Sequence, residues 1–210
     1  MKIKSILVSV VTSLGVVLLP RASYYVEHNM MEEFYRITKK AIDFVFLVAS
    51  PLIIYFIIFA KSGIFFLSGP AYGGAIIPMQ IIMPTLLLVG LTNIMGIQIL
   101  VPLGKEKLVL YSEIAGVIVD VILNAMLIPK FNSAGAAIGT LAAEGAVFVV
   151  QYVALRNEVI DAYRQVRYGS IVIAIFFSGL LSMLVNKLSV GNFVMLCLSA
   201  TIFFFTYLGI

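Results

Sequence analysis

The chain has 210 residues, of which 62% are hydrophobic and 11% charged. Soluble domains contain about 45–50% apolar and about 25% charged residues. A soluble fold of this length has too little interior to bury so much apolar surface, so the composition excludes a water-soluble globular protein. The net charge is +4. The basic residues lie in short breaks between apolar runs, which argues for topology signals rather than nucleic-acid binding.

The single cysteine, Cys197, lies inside an apolar run. One cysteine cannot form a disulfide framework or a zinc cluster within one chain. We also expect no metal site and no cofactor. Because most of the chain is apolar, we expect the lipid bilayer to be a partner.

Seven apolar runs have the length that a membrane-crossing helix needs, about 20 residues. They are too long and too continuously apolar for the strands of a membrane barrel. We therefore predict an all-α, polytopic transmembrane bundle of about seven helices, with the third span bent at Pro78 or Pro84. The predicted spans are residues 3–20, 39–60, 76–101, 108–128, 134–154, 168–187 and 191–209.

Lysine and arginine are distributed unequally between the two sides of the predicted bundle. The odd-numbered breaks contain nine of them, and the other side contains five. Cytoplasmic loops are enriched in these residues, so we predict an external N-terminus and a cytoplasmic C-terminus. The nine are Arg21, Arg36, Lys39, Lys40, Lys105, Lys107, Arg156, Arg164 and Arg167.

Acidic residues inside the apolar runs are the main functional candidates. Asp120 lies near the middle of the fourth span and Glu144 near the middle of the fifth, where a carboxylate costs about 2.5–3.5 kcal/mol unless it is protonated or faces a cavity. Glu113, Asp120 and Asn124 share one stripe of the fourth span.

Two interpretations of these acids stay open. With no lysine or arginine expected at mid-depth, a proton or a cation is the favoured partner of Asp120 and Glu144. Alternatively, Asp120 is protonated and bonds to a neighbouring helix, and Glu144 lies at a close helix contact. Interhelical hydrogen bonds are also the better interpretation of Asn93 and Gln98.

Several short motifs occur in an order that resembles the polysaccharide transporter (oligosaccharide flippase) family of the multidrug/oligosaccharidyl-lipid/polysaccharide exporter superfamily. Together they cover residues 11 to about 155. Position 120 departs from the family pattern, because Asp replaces the neutral amide that we expect there. The matching motifs are Leu19-Pro20-Arg21 with Ser23, Gly104–Lys107, Asn124, Ile128-Pro129, Gly135–Thr140 and Glu144.

The resemblance implies two six-helix lobes facing a central cavity. Residues 1–155 would form an incomplete second lobe that lacks its first helix, and residues 156–210 would add two C-terminal helices. One lobe cannot give alternating access between two lobes. The resemblance therefore implies either a separately encoded N-terminal half or a truncated remnant.

The function that the resemblance implies is export of lipid-linked oligosaccharide units across the bacterial cell membrane, for capsule or exopolysaccharide synthesis. Arg21, Asp120, Asn124 and Glu144 are the substrate-binding candidates, and Asp120 and Glu144 are the candidates for ion coupling. Arg21 would pair with the pyrophosphate, since a guanidinium forms bidentate contacts with phosphate. The alternative role of Arg21 is that of a topology anchor after a helix end.

Other functions compete with this prediction. The chain is alternatively a lobe of a multidrug or ion antiporter, or a non-functional fragment. An intramembrane enzyme is disfavoured, because His28 falls in a polar break and Cys197 in a span, so no nucleophile–base constellation is visible.

The predicted orientation can be tested by cysteine labelling in a Cys197→Ser background. We expect a membrane-impermeant maleimide to label Lys61→Cys in intact cells, and to label Lys107→Cys only after permeabilisation. The opposite pattern, or labelling of both positions in intact cells, would contradict the orientation.

Overall fold

A computed structural model describes residues 2–187 and 191–210, and this part of the chain contains helices and no strand. The predicted all-α fold is confirmed. Two 3₁₀ segments (Pro70–Ala75, Leu184–Lys187) and a π-helix (Ile94–Leu100) accompany the α-helices. The α-helices are α1 (Lys2–Glu27), α2 (Met31–Ile58), α3 (Ala60–Ser68), α4 (Ile76–Ile82), α5 (Thr85–Asn93), α6 (Glu106–Ala154), α7 (Arg156–Arg164), α8 (Tyr168–Met183) and α9 (Asn192–Gly209).

Helix α1 is longer than the first predicted span. We expected it to close at the Leu-Pro-Arg motif, but it continues through Pro20 and ends at Glu27. An interior proline removes only one backbone donor, and the helix on either side of it persists. At about 1.5 Å per residue, α1 is about 39 Å long and exceeds the ~30 Å hydrocarbon core. Arg21 therefore lies within a helix and not after its end.

The third predicted span consists of two segments with a bend of 42° between them, Pro70–Ile82 and Thr85–Leu100. Pro84 lies at the bend, as an interior proline predicts. The second segment ends in the π-helix, in which each hydrogen bond joins residues five apart rather than four.

Helix α6 folds back on itself as a hairpin. Its 49 residues would extend about 73 Å as one straight rod, more than twice the hydrocarbon core. Asn132 interrupts it with a φ of 50° and a ψ of −127°, well outside the helical region. Gln151 Nε2 then donates to Ser112 Oγ at 3.0 Å, and a Cβ added to Gly135 would collide with the Leu127 carbonyl oxygen. The two arms, 106–131 and 133–154, are therefore antiparallel and in contact.

The hairpin determines how many spans the chain forms. Four described helices are long and apolar enough to cross a membrane. Two bent helix pairs add one span each if each pair crosses once, which gives six. That count takes α6 as a single span. With each arm of the hairpin counted separately, residues 2–187 and 191–210 contain seven spans, the number that the apolar runs predict. The chain is a membrane-embedded helical protein.

The hairpin packs against α4, α5 and the π-helix, whereas α8 and α9 pack on each other and on α2. Helix α9 also contacts α3. Two tyrosine hydroxyls tie α9 to α2: Tyr55 donates to the Leu196 carbonyl at 3.0 Å, and Tyr207 donates to the Leu47 carbonyl at 2.9 Å. In apolar surroundings such bonds satisfy carbonyls that water cannot reach.

We expect Gly135→Ala to destabilise the hairpin, while Gly145→Ala leaves it unchanged or slightly more stable. The new Cβ at position 135 meets the backbone at Leu127, which cannot move aside, whereas that at position 145 meets no atom within 4 Å. Overpacking costs about 1–3 kcal/mol, and an unobstructed alanine gains up to about 1 kcal/mol over glycine in a helix. Thermal unfolding of both variants in one detergent measures the difference, and equal stabilities would contradict the hairpin.

Candidate functional site

The two arms of α6 enclose a groove lined by polar side chains from the predicted fourth and fifth spans. Glu113 and Asp120 enter it from the first arm, and Thr140 and Glu144 enter it from the second. The groove has a volume of about 240 Å³. The hairpin thus brings together acids that are far apart along the chain, and the stripe that carries Glu113 and Asp120 faces the second arm.

Lys4 of α1 supplies a cation to this groove. Its Nζ lies 3.8 Å from Glu144 Oε1, and the two side chains are only 19% and 26% exposed. The expectation that no basic residue would reach these acids is therefore wrong for Glu144. A signal was present, since Lys4 lies inside the predicted span 3–20, and a lysine stem can carry its charge some distance along a helix. Its pairing with position 144 has no trace in the linear sequence.

Asp120 and Asn124 each have a buried side-chain oxygen, Oδ1, with no hydrogen-bond partner among the described residues. Asp120 lines the groove, whereas Asn124 abuts Gly139 where the two arms cross. A buried polar oxygen without a partner costs free energy, about 1–3 kcal/mol by mutational data. A proton, a water molecule, a cation or a substrate hydroxyl could satisfy the oxygen of Asp120.

Arg21 lies apart from the other three candidates. It is exposed on α1, where it lines a shallow pocket with Pro20, Tyr24 and Tyr25. Seventeen residues of helix separate it from Lys4, which is about 26 Å along the axis. The four candidates thus lie at two places. Asp120 and Glu144 line the groove and Asn124 lies close to it, whereas Arg21 lies near the far end of α1.

A second buried polar contact lies between α1 and the π-helix. Gln98 Nε2 donates to Asn93 Oδ1 at 3.4 Å, and five residues separate the two amides, the spacing at which residues stack in a π-helix. Both amides abut Gly15 of α1 so closely that a Cβ there would collide with them. The pair bonds within one span and packs against α1, so it differs from the interhelical bond that we expected.

Within residues 2–187 and 191–210, no group of three or more His, Cys, Asp and Glu side chains is close enough to hold a metal ion. The three acids of the groove therefore lie along its wall and do not surround a common position where a metal ion would bind.

No family model matches this chain, and no curated protein or solved structure matches it. The resemblance to the flippase family therefore stays a prediction from the motifs.

Removing either member of the Lys4–Glu144 pair should destabilise the protein. The two single losses of stability should together exceed the loss in the double variant. Lys4→Met leaves the half-buried Glu144 carboxylate without its cation, and Glu144→Gln leaves the half-buried Lys4 ammonium without its anion, whereas the double variant leaves neither charge. A double-mutant cycle on thermal unfolding should give a coupling of about 0.5–3 kcal/mol. Lys130→Met at the exposed hairpin turn is the control and should have little effect. Additive single effects would contradict the pair.

Proposed function

We propose that this chain is a lobe of a membrane transporter, and that the groove between the arms of α6 forms part of the path of a polar group. One observation carries the proposal. Glu113, Asp120 and Glu144 line a single groove, and Lys4 reaches Glu144 from another helix. Ionisable residues within membrane spans are rare, and they typically mark substrate or ion pathways.

The surroundings of the groove support a transport role over a packing role. The arms of α6 also carry large apolar side chains that are exposed, including Val117, Val121, Ile122 and Met126. Such a surface suits lipid or another apolar helix, so the groove is a polar strip on an otherwise apolar element. A strip of this kind is costly unless water or a solute occupies it.

The substrate class that we propose is a lipid-linked oligosaccharide. Its sugar hydroxyls can donate to the carboxylates of the groove, while its lipid tail stays in the bilayer. Arg21, with Tyr24 and Tyr25 beside it, offers a guanidinium and aromatic rings, groups suited to phosphate and to the apolar face of a sugar. The motif resemblance is the reason for preferring this substrate to others.

Alternating access in transporters of this kind uses two lobes that rock against each other around a shared site. We therefore propose that a second lobe, in the same polypeptide or in a separate one, covers the groove. Without it, the groove would open on one side only.

A second candidate function is a lobe of a multidrug or ion antiporter. The buried, unpartnered Oδ1 of Asp120 favours it, because such an oxygen can exchange a proton for a cation. It predicts proton- or sodium-dependent efflux of small cations and no effect on surface polysaccharide. A fragment without function predicts neither activity.

In the complete two-lobe transporter, we expect Asp120→Asn to lower translocation of a lipid-linked oligosaccharide by roughly 10- to 150-fold, because a hydrogen bond to a charged group contributes about 1.5–3 kcal/mol. It should also remove the response of translocation to an imposed ion gradient, because asparagine has no charge to pair with an ion. The assay is flipping of a labelled lipid-linked oligosaccharide in proteoliposomes.

Asp161→Asn is the matched control, because it makes the same change at an exposed position on α7. An Asp120→Asn transporter with unchanged flipping and an unchanged response to the ion gradient would contradict the coupling role. Cation efflux without any flipping would favour the antiporter.

A further inference from the structure

A cavity of about 580 Å³ lies between α2, the junction of α7 with α8, and the end of α9. We call it the α2–α8–α9 cleft. It is distinct from the groove of α6, and no residue lines both. Its residues flank the predicted breaks one and five, which places it at the side of the membrane predicted to be cytoplasmic.

The wall of the cleft is apolar where it runs toward the middle of the spans. Leu47 and Phe44 of α2 face Ile171 and Ala174 of α8 across it, and Tyr207 of α9 completes the wall. The Tyr207 hydroxyl donates to the Leu47 carbonyl at 2.9 Å, so that polar group is already satisfied. An acyl chain suits such a wall, because it packs against apolar side chains and leaves no polar group without a partner.

The mouth of the cleft is cationic. Lys39, Lys40 and Arg167 line it, and Asp43 is the only acidic side chain among its lining residues. Lys39 already donates to the Gln165 side-chain oxygen. Lys40 and Arg167 are exposed and form no ion pair within the described ranges. An anion at the mouth would therefore meet two cations that pair with no acidic side chain in the described part of the chain.

The beginning of α8 adds backbone donors at the same mouth. Arg167 precedes the helix and forms no side-chain cap. The N–H groups of Gly169 and Ser170 have no backbone acceptor among residues 2–187 and 191–210, and Ser170 itself lines the cleft. Helix N-termini of this kind bind phosphate through free N–H groups and the helix dipole.

We propose that the α2–α8–α9 cleft binds an anionic phospholipid of the cytoplasmic leaflet. The phosphate lies at Lys40, Arg167 and the first turn of α8, and one acyl chain lies along Leu47 and Ala174. Basic pockets between membrane helices on the cytoplasmic side suit anionic head groups. Free phosphate would leave the apolar wall uncovered, and a zwitterionic lipid would bring no net charge to the mouth.

The test is native mass spectrometry of the purified full chain, titrated with dioleoylphosphatidylglycerol, dioleoylphosphatidylcholine or glycerol phosphate. We expect the phosphatidylglycerol to bind most tightly. Lys40→Gln with Arg167→Gln should weaken its binding roughly 30-fold, and Arg167→Gln alone about fivefold, from the usual contribution of each cation near a membrane surface.

The matched control is Lys107→Gln with Arg156→Gln, which removes two exposed cations from the same predicted side, away from the cleft. It should leave binding within about twofold of the original. Equal weakening in both double variants, equal affinity for the two lipids, or equal binding of glycerol phosphate would each overturn the proposal. If the Lys40 and Arg167 double variant aggregates, the exposed single change at Arg167 decides the result.

Discussion

Every backbone amide inside a bilayer must find its hydrogen-bond partner within the protein, because hydrocarbon offers none. Helices satisfy this requirement locally, and the described part of the chain accordingly consists of helices joined by short turns, with no strand. The same constraint applies to side chains. Glu144 meets Lys4 at 3.8 Å, and Gln151 meets Ser112 at 3.0 Å, both between separate spans. Asp120 and Asn124 are exceptions, since each has a buried Oδ1 without a partner among the described residues. Asp120 lines the groove, so a proton, a water molecule or a solute can reach it there.

The fold concentrates this polar chemistry in two regions with opposite charge character. The groove of α6 has three acids and one reachable lysine, whereas the α2–α8–α9 cleft has three cations and one acid. Acids at mid-span suit exchange of protons or solutes, which requires that binding be reversible. Cations at a membrane boundary suit a lasting contact with lipid head groups. The two regions thus suit a moving solute and a fixed lipid respectively.

Composition and apolar runs were sufficient to predict the fold class, because helix length in a bilayer depends on average hydropathy over about 20 residues. The placement of Asp120 and Glu144 on helices was predictable for the same reason. The continuation of α1 through Pro20 and the Lys4–Glu144 pair were not. The first depends on packing that compensates for a lost hydrogen bond, and the second on which helices become neighbours. The π-helix likewise has no signal in residue type alone.

The reversal of the chain at Asn132 has a consequence for biogenesis. The contacts between the arms of α6 join residues that are close in sequence, such as Ser112 and Gln151, which are 39 positions apart. The two arms can therefore pair early and shield the polar groups between them as they enter the bilayer. Lys4 and Glu144 are 140 positions apart. Contacts between such distant positions are expected to form late, because closing a long loop of chain costs conformational entropy. The charge pair is thus a marker of the completed assembly of α1 with the rest of the protein.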